Sequence, residues 1–148
     1  MIDYSQLQLR TEGRVLVSDF DRGRYATDAS IYQIMPRAIL VPKTWADVEA
    51  ALDFAKSEGI ALLPRGGGTS QSGQTVNDAL VVDFTKHLNK VLDYNQETGR
   101  VTVQPGLVLD DLNRQLSGDG WWYPVDVSTA SRATVSYTHL TLPTILLV

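Results

Sequence analysis

The residues best suited to chemistry lie in one stretch, Pro64-Arg65-Gly66-Gly67-Gly68-Thr69-Ser70-Gln71-Ser72-Gly73-Gln74. Three successive glycines are costly in chain entropy. They permit positive φ and close approach of the backbone to another group, and successive N–H groups can then turn inward as an anion-binding nest. Thr69, Ser70 and Ser72 add hydroxyl donors, and Arg65 brings a fixed charge to the mouth of the loop. Together these features suit a diphosphate. Composition alone leaves a second reading open, a flexible surface loop. Two phosphate motifs are excluded. A P-loop needs Lys then Ser or Thr after its last glycine, and this loop has no lysine. The G-x-G-x-x-G dinucleotide fingerprint opens a helix, whereas an apolar strand pattern follows here.

The elements that must hold this loop are legible on either side of it. Ala38–Val41, closed by Pro42, reads as a buried strand. Thr44 is placed as an N-cap, with Asp47 as the capping-box acid. Trp45, Val48, Ala51, Leu52 and Ala55 recur at helical spacing, and Gly59 stops the helix. Residues 60–64 form a second strand, so the unit is βαβ-like with its two strands parallel. Residues 80–84 are a third strand. Residues 91–94 and 100–104 flank a glycine-containing turn and read as an antiparallel hairpin, broken by Pro105-Gly106. Leu109, Leu112 and Leu116 mark a short helix with Asp110 and Asp111 in its first turn, where acids suit the dipole. Gly118 and Gly120 end it, and residues 121–124 enter a further short strand or loop. The first thirty-odd residues are polar and weakly periodic, a lead-in with one short helix followed by loop. The fold class is α+β, with a βαβ-like first subdomain and a second antiparallel sheet with helices.

Bulk properties narrow the function classes. At 148 residues the chain amounts to about one domain. Thirteen basic against seventeen acidic residues give a net charge of −4, which argues against nucleic acid or an anionic membrane as partner. Hydrophobic residues at 43% and charged residues at 20% are ordinary for a globular chain and argue against disorder. With no cysteine, disulfides, iron–sulfur ligation, thiolate zinc sites and a cysteine nucleophile are excluded within the chain. The start carries no basic and apolar signal pattern, and no apolar run approaches the ~20 residues of a transmembrane helix. The expectation is a soluble, cytoplasmic protein without a transmembrane segment, or one peripheral to a membrane as part of a complex.

The run PRGGGTSQSGQ, preceded by Ile39-Leu40-Val41-Pro42 and a helix, resembles the PCMH-type FAD-binding domain of the vanillyl-alcohol-oxidase-like flavoproteins. Residues 28–32, 42–48, 80–83, 101–106 and 124–135 agree with that family in order and spacing, so the resemblance covers roughly residues 28–135. Within the family the chain looks most like the branch of FAD-linked oxidases that holds glycolate oxidase and D-lactate dehydrogenase, including members fused to ferredoxin-like domains. The resemblance implies that Arg65, Gly66, Gly67, Gly68, Thr69 and Ser70 wrap the FAD diphosphate, with Gly73 and Gln74 closing the loop. It places Pro124 and the 128–134 segment, with Ser131, Ala133 and Thr134, near the flavin. Members with covalent flavin often use a histidine in or near this loop; here Thr69 follows Gly68, so non-covalent FAD is implied. The implied activity is oxidation of a small 2-hydroxy acid of the D-lactate or glycolate type, in which the flavin accepts a hydride. Sugar or alcohol oxidases and reductases of the same superfamily share the loop. A non-catalytic nucleotide-binding module and an inert truncated product are the readings outside it.

The match stops at Val135. The family continues with a glycine pair and small residues, whereas residues 136–148 read SYTHLTLPTILLV. This run resembles the translation of a transposon-type sequencing adaptor, and the expectation is a non-native tail on a truncated FAD domain. A divergent β-strand is the other reading, since Thr, Tyr, Ile, Leu and Val favour strands. The division expected is a lead-in over 1–27, an incomplete FAD-binding domain over 28–135, and the tail. On this view the substrate domain, with the family's general bases and substrate-binding arginines, lies beyond the chain, and no catalytic residue is assigned. An electron-transfer partner or ferredoxin-like domain would complete the system.

The remaining candidates have plain explanations. His87 lies between two strands with no partner motif and reads as a solvated loop residue. His139 falls in the tail. The histidines show no metal-ligand spacing. Trp121, Trp122 and Tyr123 read as core or interface before flavin contact, Trp45 as helix packing, and Arg65 as a diphosphate ligand or loop anchor.

Overall fold

In a computed structural model, which describes residues 2–136, the elements run α1 (Ser5–Leu9), β1 (Arg14–Leu16), α2 (Asp19–Gly23), β2 (Ala38–Val41), α3 (Trp45–Glu58), β3 (Leu62–Arg65), β4 (Leu80–Asp83), β5 (Val91–Asn95), β6 (Arg100–Val103) and α4 (Leu109–Leu116). Among the described residues, four strands form one sheet in the order β1-β2-β4-β3, and β5 and β6 form a second. β2 and β3 both run parallel to β4, with Ile39 opposite Val81 and Leu63 opposite Val81 from the other side. The expected βαβ strands are therefore parallel, but β4 lies between them. Burial gives the reason. All four residues of β4 are buried, which suits a central strand. β3 carries Pro64, which has no N–H to give a ladder and belongs at an edge.

Alternation along the strands divides the core. Ala38 and Leu40 join Leu80 and Val82 on the face covered by α3, with Val48, Ala51, Phe54 and Leu7. Ile39, Val41 and Val81 meet Leu16, Tyr25 and Leu63 on the other face. The first residues do more than lead in with a helix and a loop: β1 pairs antiparallel with β2, Arg14 opposite Val41 and Leu16 opposite Ile39. A three-residue strand is too short to announce itself by period. Asp47 fastens this edge. The expected capping box with Thr44 forms, and the same carboxylate also accepts from the N–H groups of Lys43 at 2.7 Å, Glu12 at 2.8 Å and Gly13 at 3.1 Å.

The buried face of α3 differs from the expected one. Asp47, Val48, Ala51, Phe54 and Ala55 are buried, whereas Trp45 and Leu52 are 58% and 53% exposed. At 3.6 residues per turn the buried five share an arc of about 120°, and Trp45 and Leu52 fall off it. Phe54→Ala is accordingly expected to cost about 3–4 kcal/mol, and Trp45→Ala less than about 1 kcal/mol. Thermal unfolding of the two variants checks this; equal losses would put the helix face elsewhere.

The second unit packs Leu107, Leu112 and Leu116 against the β5–β6 hairpin. Trp121 lies over the hairpin turn, against Gly99 (φ +68°), and its indole N–H donates to the Gln96 carbonyl at 2.8 Å. Residues 121–124 form no strand. Asn113, buried in α4, accepts from the Tyr123 N–H at 2.8 Å and so directs the chain into the 124–136 segment. The tail expected to be non-native lies, from residue 137 on, outside the described residues.

Candidate functional site

The glycine loop leaves the end of β3 beside the end of β4, and because the two strands are parallel the chain crosses to the other end of the sheet before it enters β4. The loop is pinned from below by Arg65, which is 9% exposed. Its guanidinium donates to the carbonyls of Thr27 at 2.7 Å, Thr75 at 2.9 Å and Tyr25 at 3.2 Å, and lies over the Tyr25 ring. Burial works against this charge and lowers its pKa, with Asp28 and Asp83 nearby opposing that effect. Of the two roles open to Arg65, the geometry displays the anchor. Tyr25 in turn donates to Asp83 at 2.7 Å, and burial followed by that bond pushes the phenol well above its ordinary range.

The glycines are required for different reasons. Gly68 and Gly73 take positive φ, at +65° and +72°, while Gly66 and Gly67 do not. Gly66 and Gly67 are explained by close approach. A Cβ on Gly66 would overlap the Thr134 hydroxyl, and one on Gly67 would overlap the Arg132 carbonyl. The loop backbone thus lies directly against the 132–134 segment, at the Arg132 carbonyl and the Thr134 hydroxyl. That segment is itself fixed by α4: the Leu109 N–H donates to the Ala133 carbonyl at 3.0 Å, the Asp110 N–H to that of Ala130 at 3.2 Å, and the Val135 N–H to that of Leu107 at 2.8 Å.

Ser70, 1% exposed, closes the loop on itself. Its hydroxyl donates to the Gln74 side chain at 3.0 Å and accepts from the N–H groups of Ser72 and Gln74. Among the described residues, the backbone N–H groups of Gly66, Gly67, Gly68, Thr69, Ser70 and Gln71 meet no acceptor. Six successive donors are thus left open, those of Thr69, Ser70 and Gln71 on residues that line a cleft and those of Gly66 and Gly67 on residues that line a second cavity.

The cleft holds ≈ 380 Å³ and is lined by Thr69, Ser70, Gln71, Ser72 and Gln74 on one wall and Val127, Ser128 and Thr129 on the other. It carries hydroxyls and amides and no charged side chain. Ser128 and Thr129 belong to the 128–134 segment that the resemblance placed near the flavin; Val127 was not singled out from the sequence. Gly66 and Gly67 face a second cavity of ≈ 300 Å³, with Arg24, Tyr25, Asp83 and Lys86. Ala133 and Thr134 are buried behind the loop, whereas Pro124 and Ser131 are exposed and do not line the cleft. His87 is exposed in a turn. Among the described residues no group of three or more His, Cys, Asp or Glu could hold a metal ion, and no helix is long and apolar enough to cross a membrane.

Comparison with known proteins agrees with this geometry. A family model described as FAD binding domain matches residues 36–136. The D-2-hydroxyglutarate dehydrogenase of Escherichia coli is 38% identical over 126 residues, covering 83% of this chain and 12% of that protein. The glycolate oxidase subunit GlcD of Bacillus subtilis is 31% identical over 138 residues, 90% of this chain and 29% of that one. The chain therefore spans a small part of the length of the curated relatives it matches. Among solved structures, a variant of Physcomitrella patens BBE-like 1 superposes with a TM-score of 0.76 at 21% identity, over 92% of this chain and 30% of that one, a likeness of fold.

Proposed function

The chain belongs to the PCMH-type FAD-binding-domain family, and from that premise we propose that it binds FAD non-covalently, by the diphosphate, as the cofactor half of an oxidoreductase acting on a small 2-hydroxy acid. The observation that carries the cofactor assignment is the run of six open N–H groups at residues 66–71, three of whose residues, Thr69, Ser70 and Gln71, line the hydroxyl-bearing cleft. Diphosphate oxygens are strong acceptors, and oriented backbone amides meet them without bringing a second charge into the cleft. Thr69, Ser72, Ser128 and Thr129 offer hydroxyls to the same group, and Gly73 and Gln74 close the loop. Arg65 holds the loop from below, and Ala133 and Thr134 hold it from behind. Pro124 and Ser131 would then stand outside the diphosphate site. The loop contains no histidine, so no tether is available there.

When bound, FAD supplies the two-electron acceptor. The chain's own residues bind and orient it; no residue here is assigned a part in taking the substrate's protons. The substrate class is supported by the names of the relatives, which act on 2-hydroxy acids. The substrate domain, an electron-transfer partner or ferredoxin-like domain, and a cytoplasmic location complete the proposal. The test is titration of FAD into the chain, followed by flavin fluorescence. Saturable one-to-one binding is the expected result. A folded chain that leaves the fluorescence unchanged overturns the assignment. With the full-length parent, bleaching of the flavin by D-lactate, glycolate or D-2-hydroxyglutarate supports the substrate class, and bleaching by sugars alone replaces it.

A further inference from the structure

We propose that residues 25–29, which precede the matched family region, are a latch for the cofactor loop, so that docking of this segment and FAD binding are one coupled equilibrium. The inference rests on the FAD assignment above and adds residues to it. Three independent contacts tie the segment to the loop. Arg65, at the loop's start, donates to the carbonyls of Tyr25 and Thr27. Asp28 accepts from the Thr75 hydroxyl at 2.9 Å, at the loop's end. The Ala29 N–H donates to the Gly68 carbonyl at 3.1 Å, at the last of the three successive glycines, where φ turns positive.

The segment is shaped for this task. Thr27 and Gln33 form an antiparallel bridge, the Ile34 N–H donates to the Ala26 carbonyl at 2.9 Å, and the Tyr32 ring packs on Gly73. Arg65 also bonds the Thr75 carbonyl, so a single guanidinium joins the loop's two ends to the segment. The Ala29 bond fixes the orientation of the Gly68 carbonyl, between loop residues whose own N–H groups are open. Tyr25, Thr27, Asp28 and Ala29 are positioning residues on this account and need not touch the cofactor. Coupling of this kind is reciprocal: whatever the latch adds to FAD affinity, FAD returns to the latch.

Amide hydrogen exchange on the chain, with and without FAD, reads this directly. The expected result is FAD-dependent protection at residues 26–32, with Ala29 among them, as well as at 66–74. Asp28→Ala, which removes the acceptor of the Thr75 hydroxyl, is expected to weaken FAD binding about tenfold and to abolish the protection at 26–32 while leaving the chain folded. Should that variant fail to fold, Thr75→Val removes the same hydroxyl contact. A folded variant that binds FAD like the parent, or protection confined to 66–74, overturns the latch and leaves the cofactor assignment standing. If the parent chain binds no FAD, the assignment falls and the latch with it.

Discussion

Gly67→Val is expected to weaken FAD binding at least about 100-fold, or ~2.7 kcal/mol, in a chain that still folds. The reason is contact rather than dihedral freedom. Gly67 has no positive φ, so a side chain is not excluded by its own backbone. It is excluded by the Arg132 carbonyl, which stands where the Cβ would go. A branched side chain must push the 131–134 segment off the loop, and that segment is held in place by the bonds of Leu109 and Asp110 to Ala133 and Ala130. The displacement shifts the loop backbone that carries the open N–H groups of residues 66–71. Gly118→Ala is the control, because a Cβ there meets nothing within 4 Å. It should bind FAD like the parent. Flavin fluorescence titration of both decides the matter, and unchanged affinity in a folded Gly67→Val chain would remove the loop from the cofactor site.

Asp47→Ala should destabilise the fold by about 3 kcal/mol, which for a chain of this length is a loss of about 6–12 °C in Tm. Truncation leaves the N–H groups of Glu12, Gly13, Lys43 and Thr44 without their acceptor. It thereby releases both the start of α3 and the turn before β1. The effect should also depend on pH. Burial alone would raise the Asp47 pKa, but the N–H groups of Lys43, Glu12 and Thr44 outweigh it and hold the carboxyl below its ordinary range. A depressed native pKa contributes stability that is complete above the unfolded value of about 4 and fades as pH falls through the native one. Asp28 and Asp78 are depressed too, so the acid limb of the parent is shared. The difference between parent and variant isolates Asp47: it should be constant above about pH 5 and shrink below about pH 4. A difference that stays flat to low pH would mean that the ionised form is not what holds the two segments.

These two residues mark where legibility ends. Asp47 was readable as a capping-box acid, because the signal is local: Thr, two intervening residues, Asp, then an apolar period. Its second task, at Glu12 and Gly13, joins positions thirty-four and thirty-five residues apart, and nothing in the spacing encodes it. The same division runs through the helix it starts. The 3.6-residue period located α3, but Trp45 and Leu52 share the apolar class of the buried residues, and only the sheet beneath decides which stripe faces inward.

By itself, the order of residues determined the strands that are apolar throughout, the caps of α3, the hairpin turn, and a glycine-rich loop apt for a diphosphate. Each depends on neighbours within about one turn or one strand. Tertiary structure alone decided that β4 enters between β2 and β3, that β1 extends the sheet, and that Gly66 and Gly67 are glycines because Thr134 and Arg132 lie against them. It also made Arg65 an anchor of the loop, one of the two roles the sequence had left open, since the carbonyls of Tyr25, Thr27 and Thr75 converge on its guanidinium. The physical reason is the same in every case: backbone conformation is set by local sterics, whereas the partner of a buried carbonyl or guanidinium is set by which distant segment the packed core brings within about 3 Å.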